Sequence, residues 1–486
     1  MAGPYPVPNA TVPYWRTELH ELDSHRSTAV LPEKQDIVII GAGFTGAALA
    51  HYLLKDNPSK PSITILEARE ACSGATGRNG KSISTYPITI GSASRGQLRP
   101  DLFVGLASRM QAHGLETANE VALFELANAQ AVVQLVEDER IACDLAAVTT
   151  ADVFVDGAEA AKIKKLWDAM SKLDCPTLRA VSYHGPGDAP RVTGVKGAQV
   201  AFAYAAHTLW PYKLVLHLLA GAVAHGANLQ TRTPVRAVAA APDAEGCWAL
   251  ATPRGTVRAR RVVFATNAYT AGLLPEYDDA IYAARATVCR VVPSPSASSS
   301  SSSSEPPVLL GSAGLAMRSP STMDSYYGLR ADGSLVVGGA KSTYFYQKRS
   351  EWYRNYDDAT LIEDAVPYFD GWAERTLDAW EGKEEKGKVD RVWTGIMGYS
   401  ADDAPHIGPV PSKPGLYACA GFHGHGMPNV LLCARGLAQM LTQGCGFAEI
   451  GVPASYETSA ARLRKVAEAA AAPVAGRARA DIYLKY

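Results

Sequence analysis

The run QDIVIIGAGFTGAALAHYLLKDNPSKPSITILEA, from Gln35 to Ala68, constrains this chain more than any other, because it reads as strand, glycine turn, helix and second strand ending on an acid. Ile37 to Ile40 form a fully apolar strand. Gly41 makes the tight turn, Gly43 lets backbone approach a pyrophosphate, and Gly46 lets helix and sheet pack closely. Phe44 and Thr45 open the helix, where free N–H groups and the positive end of the dipole favour negative charge. Glu67 follows Gly46 at the roughly 20-residue spacing of a carboxylate that hydrogen-bonds a ribose hydroxyl, with Ala68 beside it. The unit predicts that the chain binds an adenine dinucleotide.

At 486 residues the chain has the length of roughly two or three domain-sized units. A formal net charge of -1, with 20% charged residues, supplies no basic field for nucleic acid. No apolar run reaches the roughly 18 residues of a membrane span, and MAGPYPVPNATVPYW has neither the basic start nor the apolar core of a signal segment. The expectation is a soluble, cytoplasmic protein without a membrane span. Eight cysteines are scattered with no CxxC pair, so neither a metal site nor a redox dithiol is expected.

Apolar spacing predicts helices within 101–145, 158–173 and 215–225, and extended chain over 228–238. Alternation around Pro253 to Gly255 predicts a hairpin running into an apolar strand at Val262 to Ala265, and SYYGLRADGSLVVGGA predicts two strands joined at Asp332-Gly333. The serine-rich Pro293 to Pro307 segment reads as a surface loop. Residues 1–31 read as an arm over the body, anchored by Tyr14 and Trp15, and 446–486 as a terminal helix and tail.

Three further motifs narrow the dinucleotide: CSGATGRNG (Cys72 to Gly80), WTGIMGYSADDAPHIGPVP (Trp393 to Pro411) and YACAGFHGHGMP (Tyr417 to Pro428). Small residues up to Gly80 would let backbone lie against a flat ring, while Ser73, Thr76, Arg78 and Asn79 offer hydrogen bonds to phosphate or ring heteroatoms. Gly421, Gly424 and Gly426 precede Pro428, the expected first helical residue, so backbone N–H groups here and at Met427 would face a ligand. Together, in order from about Asp36 to about Leu441, these motifs resemble the D-amino acid oxidase superfamily. More narrowly they resemble the gamma-glutamylputrescine oxidoreductase branch of FAD-dependent amine oxidoreductases.

The resemblance implies an α/β (α+β) fold: a Rossmann-like FAD-binding domain (32–110, 210–275 and 390–445) and a substrate domain on a mixed or antiparallel sheet (111–209 and 276–389). It implies that Val235 meets the adenine through its backbone, that Thr266 and Asn267 turn near the cofactor, and that the glycine segment approaches the pyrimidine end of the flavin. His423 is expected to pack or to hydrogen-bond on the flavin side. Some relatives attach FAD through a cysteine in the segment equivalent to Trp393 to Gly408; none stands there, so non-covalent FAD is expected.

The implied reaction oxidises a C–N bond of an amine or amino acid by hydride transfer to flavin N5, with oxygen or another acceptor taking the electrons. Tyr326, Tyr327, Arg330 and His425 are the expected catalytic or substrate contacts. Strand alternation puts the two tyrosines on opposite faces, so one of them lines the site. Arg330 is suited to a bidentate carboxylate pair. Lys81 to Arg95 depart from the family pattern, as an extra loop or a retained intron. The competing readings are a flavin or NAD dehydrogenase acting on alcohols, and an inactive flavoprotein disrupted by that insert.

Overall fold

The computed structural model describes residues 3–55, 57, 59–79, 97–293, 314–318, 325–330, 332–380 and 387–471. In chain order the elements begin β1 (Lys34–Ile40), α1 (Phe44–Leu54), β2 (Ile63–Leu66), β3 (Gln97–Leu98), α2 (Val104–His113), α3 (Leu115–Asp138), β4 (Ala146–Phe154) and α4 (Gly157–Met170). They continue with β5 (Ser182–His184), α5 (Ala189–Thr193), β6 (Val200–Thr208), α6 (Pro211–Ala224), β7 (Asn228–Gln230), β8 (Ala237–Val238), β9 (Trp248–Thr252), β10 (Gly255–Phe264) and β11 (Ile281–Val292). Last come β12 (Gly314–Arg318), β13 (Ser325–Leu329), β14 (Leu335–Gly338), α7 (Trp372–Thr376), β15 (Lys388–Ser400), β16 (His406–Pro409), β17 (Leu416–Ala420), α8 (Val430–Gln443) and α9 (Ala460–Ala471).

The first sheet has the order β16-β17-β10-β1-β2-β7, with β9 paired to β10 and β8 to β9. Strands β7, β2, β1, β10 and β17 run parallel, and β1 sits between β2 and β10. The chain leaves β1 toward β2 on one side and reaches β10 on the other. A doubly wound sheet opens its ligand crevice at such a reversal, beyond the carboxyl ends of the strands. Helix α1 is apolar on nearly every face because it is buried on nearly every face; Leu49, Leu53 and Leu54 join one core with Leu214, Leu218 and Leu219 of α6 and Leu431, Leu437 and Leu441 of α8. Each fully buried Leu or Ile of this kind contributes about 1.5–3 kcal/mol.

The second sheet runs β15-β11-β14-β13-β12-β4-β6-β3, with β5 on β6, and is antiparallel except at β12 and β4. Its β15 and β3 come from stretches expected to belong to the dinucleotide unit, yet β15 pairs along almost its whole length with β11 and β3 pairs with β6. Tyr327, Val337, Cys289, Trp372 and Phe369 lie in the core on one side of this sheet.

The periodic helices form where expected, as α2 and α3, α4, and α6. Helix α8 starts at Val430 instead of Pro428, since Gly426 accepts turn hydrogen bonds from Asn429 and Val430 before the regular helix begins. No described helix is long and apolar enough to cross a membrane. Gly80, Lys81 to Arg95 and most of Pro293 to Pro307 lie outside the described residues.

Candidate active site

At the carboxyl ends of β1, β2 and β10 a cavity of about 360 Å³ is lined by Gly41, Gly43, Phe44, Thr45, Glu67 and Ala68, together with Thr76, Arg78 and Asn79 of the following segment. The glycines are there for close approach. Gly41 has φ +110°, and a Cβ on it would stand 2.6 Å from the Ala265 carbonyl oxygen. A Cβ on Gly46 would stand 1.9 Å from the Gly41 carbonyl oxygen, so Gly46 acts behind the wall, letting α1 start against the turn. The Phe44 amide donates to Thr76 Oγ1 at 3.3 Å, which ties the helix start to the Ser73–Asn79 segment. Glu67 Oε2 accepts from the Ala42 amide at 2.8 Å and Oε1 from the Arg69 amide at 2.9 Å, fixing the carboxylate at the cavity.

Val235, Thr266 and Asn267 line the same cavity, as do Gly424, Gly426 and Met427. Asn267 does more than line it. Its backbone is left-handed (φ 47°), and its Oδ1 accepts from the Gly421 amide at 3.0 Å and the Phe422 amide at 3.1 Å, so one carboxamide holds the glycine segment in place. From the second sheet come Ala286 and Val288 of β11 and Gly395, Ile396 and Met397 of β15. Among the described lining residues, two buried polar groups have no hydrogen-bond partner, the Asn79 carboxamide and the Tyr269 hydroxyl. Burial pushes the Tyr269 phenol above its ordinary range, so it is a neutral donor there.

The same wall carries a concentrated positive charge. Arg69 grips Asp358 through two bonds of 2.8 and 3.0 Å, and Arg78 Nε stands 3.3 Å from the same carboxylate. Two guanidiniums thus share one buried carboxylate, and both arginines line the cavity, which favours an anion such as a diphosphate. A glycine turn, a fixed ribose-side carboxylate, surplus positive charge and unpartnered amide and phenol groups together fit FAD.

Residues 36–440 match the family described as DAO: FAD dependent oxidoreductase. The chain belongs to that family. Its cofactor is FAD, and the architecture agrees with that of solved relatives. Glycine oxidase from Geobacillus kaustophilus superposes with a TM-score of 0.63 at 18% identity, covering 85% of this chain and 96% of that one. L-proline dehydrogenase from P. horikoshii gives 0.60 at 18%, covering 87% and 98%. In sequence, mitochondrial dimethylglycine dehydrogenase of Mus musculus is 27% identical over 231 residues, 45% of this chain and 24% of that protein. The matched region is therefore about a quarter of that relative.

Within this FAD dependent oxidoreductase, the expected contacts divide between the cavity wall and the structure behind it. The Arg78 side chain lines the cavity but is only 2% exposed, and it donates to the Ser73 carbonyl at 2.7 Å, the Thr394 carbonyl at 2.9 Å and Thr11 Oγ1 at 3.1 Å. Burial lowers its pKa to about 10 in spite of Asp358. Ser73 Oγ is buried behind the lining. Gly421, at φ +73°, turns the chain next to Asn267 without lining the cavity. His423 packs and anchors the loop without lining the cavity: its ring is 4.3 Å from that of Tyr399, Nδ1 is 3.0 Å from the Ser400 carbonyl oxygen and Nε2 is 3.2 Å from Asp403.

The expected catalytic group also divides. Tyr327 is core, its ring 5.6 Å from that of Trp372. Tyr326 faces Gly338, which in turn faces Val288, so it shares the sheet face that carries a cavity-lining residue, although it does not itself line the cavity bounded by the described residues. Arg330 pairs with Asp144 at 3.1 Å and lies over the rings of Trp15 and Trp210 at 5.1 and 5.6 Å, which leaves its fork committed away from the cavity. His425 sits between two lining glycines, but its ring turns to Glu125 at 3.1 Å. Burial alone would raise the Glu125 carboxyl; Arg109 at 3.2 Å and His425 outweigh it and hold the carboxyl at about 2. No cysteine lines the cavity among the described residues, and Cys419 is buried in the core.

Sequence reasoning missed Arg69, Tyr269 and Asp358. The first two had a signal, since Arg69 follows Glu67-Ala68 and Tyr269 ends the ATNAY turn. Asp358 had none, because its partners lie hundreds of residues away.

Proposed function

We propose that the chain oxidises a C–N bond of a small amine or amino acid, in the manner of the gamma-glutamylputrescine oxidoreductase branch. The observation that carries this reading is that the dinucleotide wall and an apolar patch of the second sheet belong to one cavity. Bound FAD supplies a hydride acceptor for the carbon next to nitrogen. What the protein must add is position and a neutral amine. Ala286, Val288, Ile396 and Met397 provide an environment that disfavours an ammonium ion, and Glu67 is the sole carboxylate among the described lining residues. Loss of the amine's proton before reaction follows from that lining without a dedicated base. Tyr326, on the sheet face that also carries Val288, is the aromatic residue we assign to bounding the substrate, and His425 with Glu125 fixes the glycine segment and does not relay a proton. The named relatives act on glycine, L-proline and dimethylglycine, which supports amino-acid or amine substrates.

The test is a panel of polyamines, gamma-glutamylated amines, N-methyl amino acids and D-amino acids mixed anaerobically with the FAD-loaded protein while flavin absorption is followed. A gamma-glutamylated amine should reduce the flavin fastest. Preference for a D-amino acid would move the protein out of that branch, and reduction by alcohols alone would refute C–N oxidation.

A further inference from the structure

The first 16 residues carry contacts that the dinucleotide fold does not require. Tyr5, Pro6 and Pro8 line the cavity together with Glu67, Val235 and Arg236, at the end where the acid after β2 marks the ribose. The Tyr5 hydroxyl donates to the Gly272 carbonyl at 2.7 Å, and the Arg236 guanidinium lies 5.8 Å from the Tyr5 ring centre. Gly272 is itself fitted to the arm: a Cβ there would stand 2.5 Å from the Pro4 carbonyl oxygen.

Farther along, the arm is bolted to the charged cluster behind the cavity. The Thr11 amide and hydroxyl donate to the Asp358 carbonyl at 2.8 and 3.0 Å, and Thr11 Oγ1 accepts from Arg78 at 3.1 Å and from the Thr394 amide at 3.1 Å. Trp15 Nε1 donates to the Asn79 carbonyl at 2.8 Å, and Arg330 covers the Trp15 ring. In the bolt, Thr11 is half-buried and Pro13, Tyr14 and Trp15 are buried, whereas Gly3, Pro8 and Asn9 are exposed. A firmly held base therefore carries a tip that is half open to solvent at the mouth of the cavity.

We infer that residues 3–9 are a strap that completes the FAD site: Tyr5 and its two prolines form the outer wall at the ribose end, and cofactor leaves only when the tip lifts. Proline is suited to this, because a chain already restricted in φ loses less entropy when it closes.

Release of FAD from the full-length holoprotein into excess scavenging apoflavoprotein, read by flavin fluorescence, tests this. Tyr5→Ala removes the wall, and Gly272→Val lifts the strap without touching it. Each should speed release by about tenfold or more, the factor produced by about 1.4 kcal/mol of lost contact. Protease cleavage between residues 3 and 9 should also slow when FAD is bound. If Tyr5→Ala releases FAD at the wild-type rate, within about twofold, the strap is refuted whatever Gly272→Val does; equal cleavage with and without FAD refutes it as well.

Discussion

Asn267 shows how much of this site rests on single side chains. Its left-handed backbone lets one carboxamide accept two amides of the glycine segment, and a Cβ on Gly398 would stand 2.6 Å from its Oδ1. The two adjacent tyrosines make the same point in reverse, because one residue of register decides between the sheet face that carries Val288 and the core around Trp372. Truncating Tyr327 to Ala should cost about 3–5 kcal/mol of stability, the usual range for a buried aromatic. It should leave substrate affinity unchanged. Tyr326→Phe should instead weaken substrate binding with little change in stability. Thermal unfolding beside substrate titration of flavin reduction separates the two, and equal effects on both measures would contradict the assignment.

Between elements, the decisive joint is where α3 meets the segment before α8. Glu125 receives His425 and Arg109 and accepts from the Asp101 amide at 2.8 Å, while Asn128, one turn later, accepts from the Leu432 amide at 2.9 Å and donates to the Met427 carbonyl at 3.2 Å. The Glu125 carboxyl titrates at about 2 in the folded protein against an ordinary 4.5, so the unfolded chain binds more protons between those values. Its contribution to stability is full above about pH 4.5 and is lost as pH falls toward 2. Glu125→Gln should therefore be less stable than wild type at neutral pH, with the gap narrowing through that window. A gap that stays constant in acid would show that the ion pairs contribute nothing.

Elements of this kind were legible only in part. The β1, α1, β2 unit was written out locally, since apolar run, glycine spacing and terminal acid all fall within one stretch. The hairpin of β9 and β10 was equally plain. The joint at Glu125 was not, because an acid in an amphipathic helix looks the same whether it meets water or a histidine 300 residues later. Arg330 misled for a related reason: its strand position was read correctly in outline, but its partners, Asp144 and Trp15, come from elements with no sequence relation to it.

At the scale of the whole molecule, two sheets of different construction share one cavity, the first supplying a cofactor wall and the second an apolar face with Val288 and Met397. In the proposed reaction a carbon bonded to nitrogen gives its hydride to FAD in that space. The most direct test of that transfer is anaerobic rapid mixing of the holoprotein with its best amine, protiated or deuterated at that carbon, while flavin absorption is recorded. Bleaching should be slowed severalfold by deuterium and should quicken with rising pH as the amine becomes neutral. Flavin that no amine bleaches, or bleaching indifferent to deuterium at the carbon next to nitrogen, would contradict the transfer.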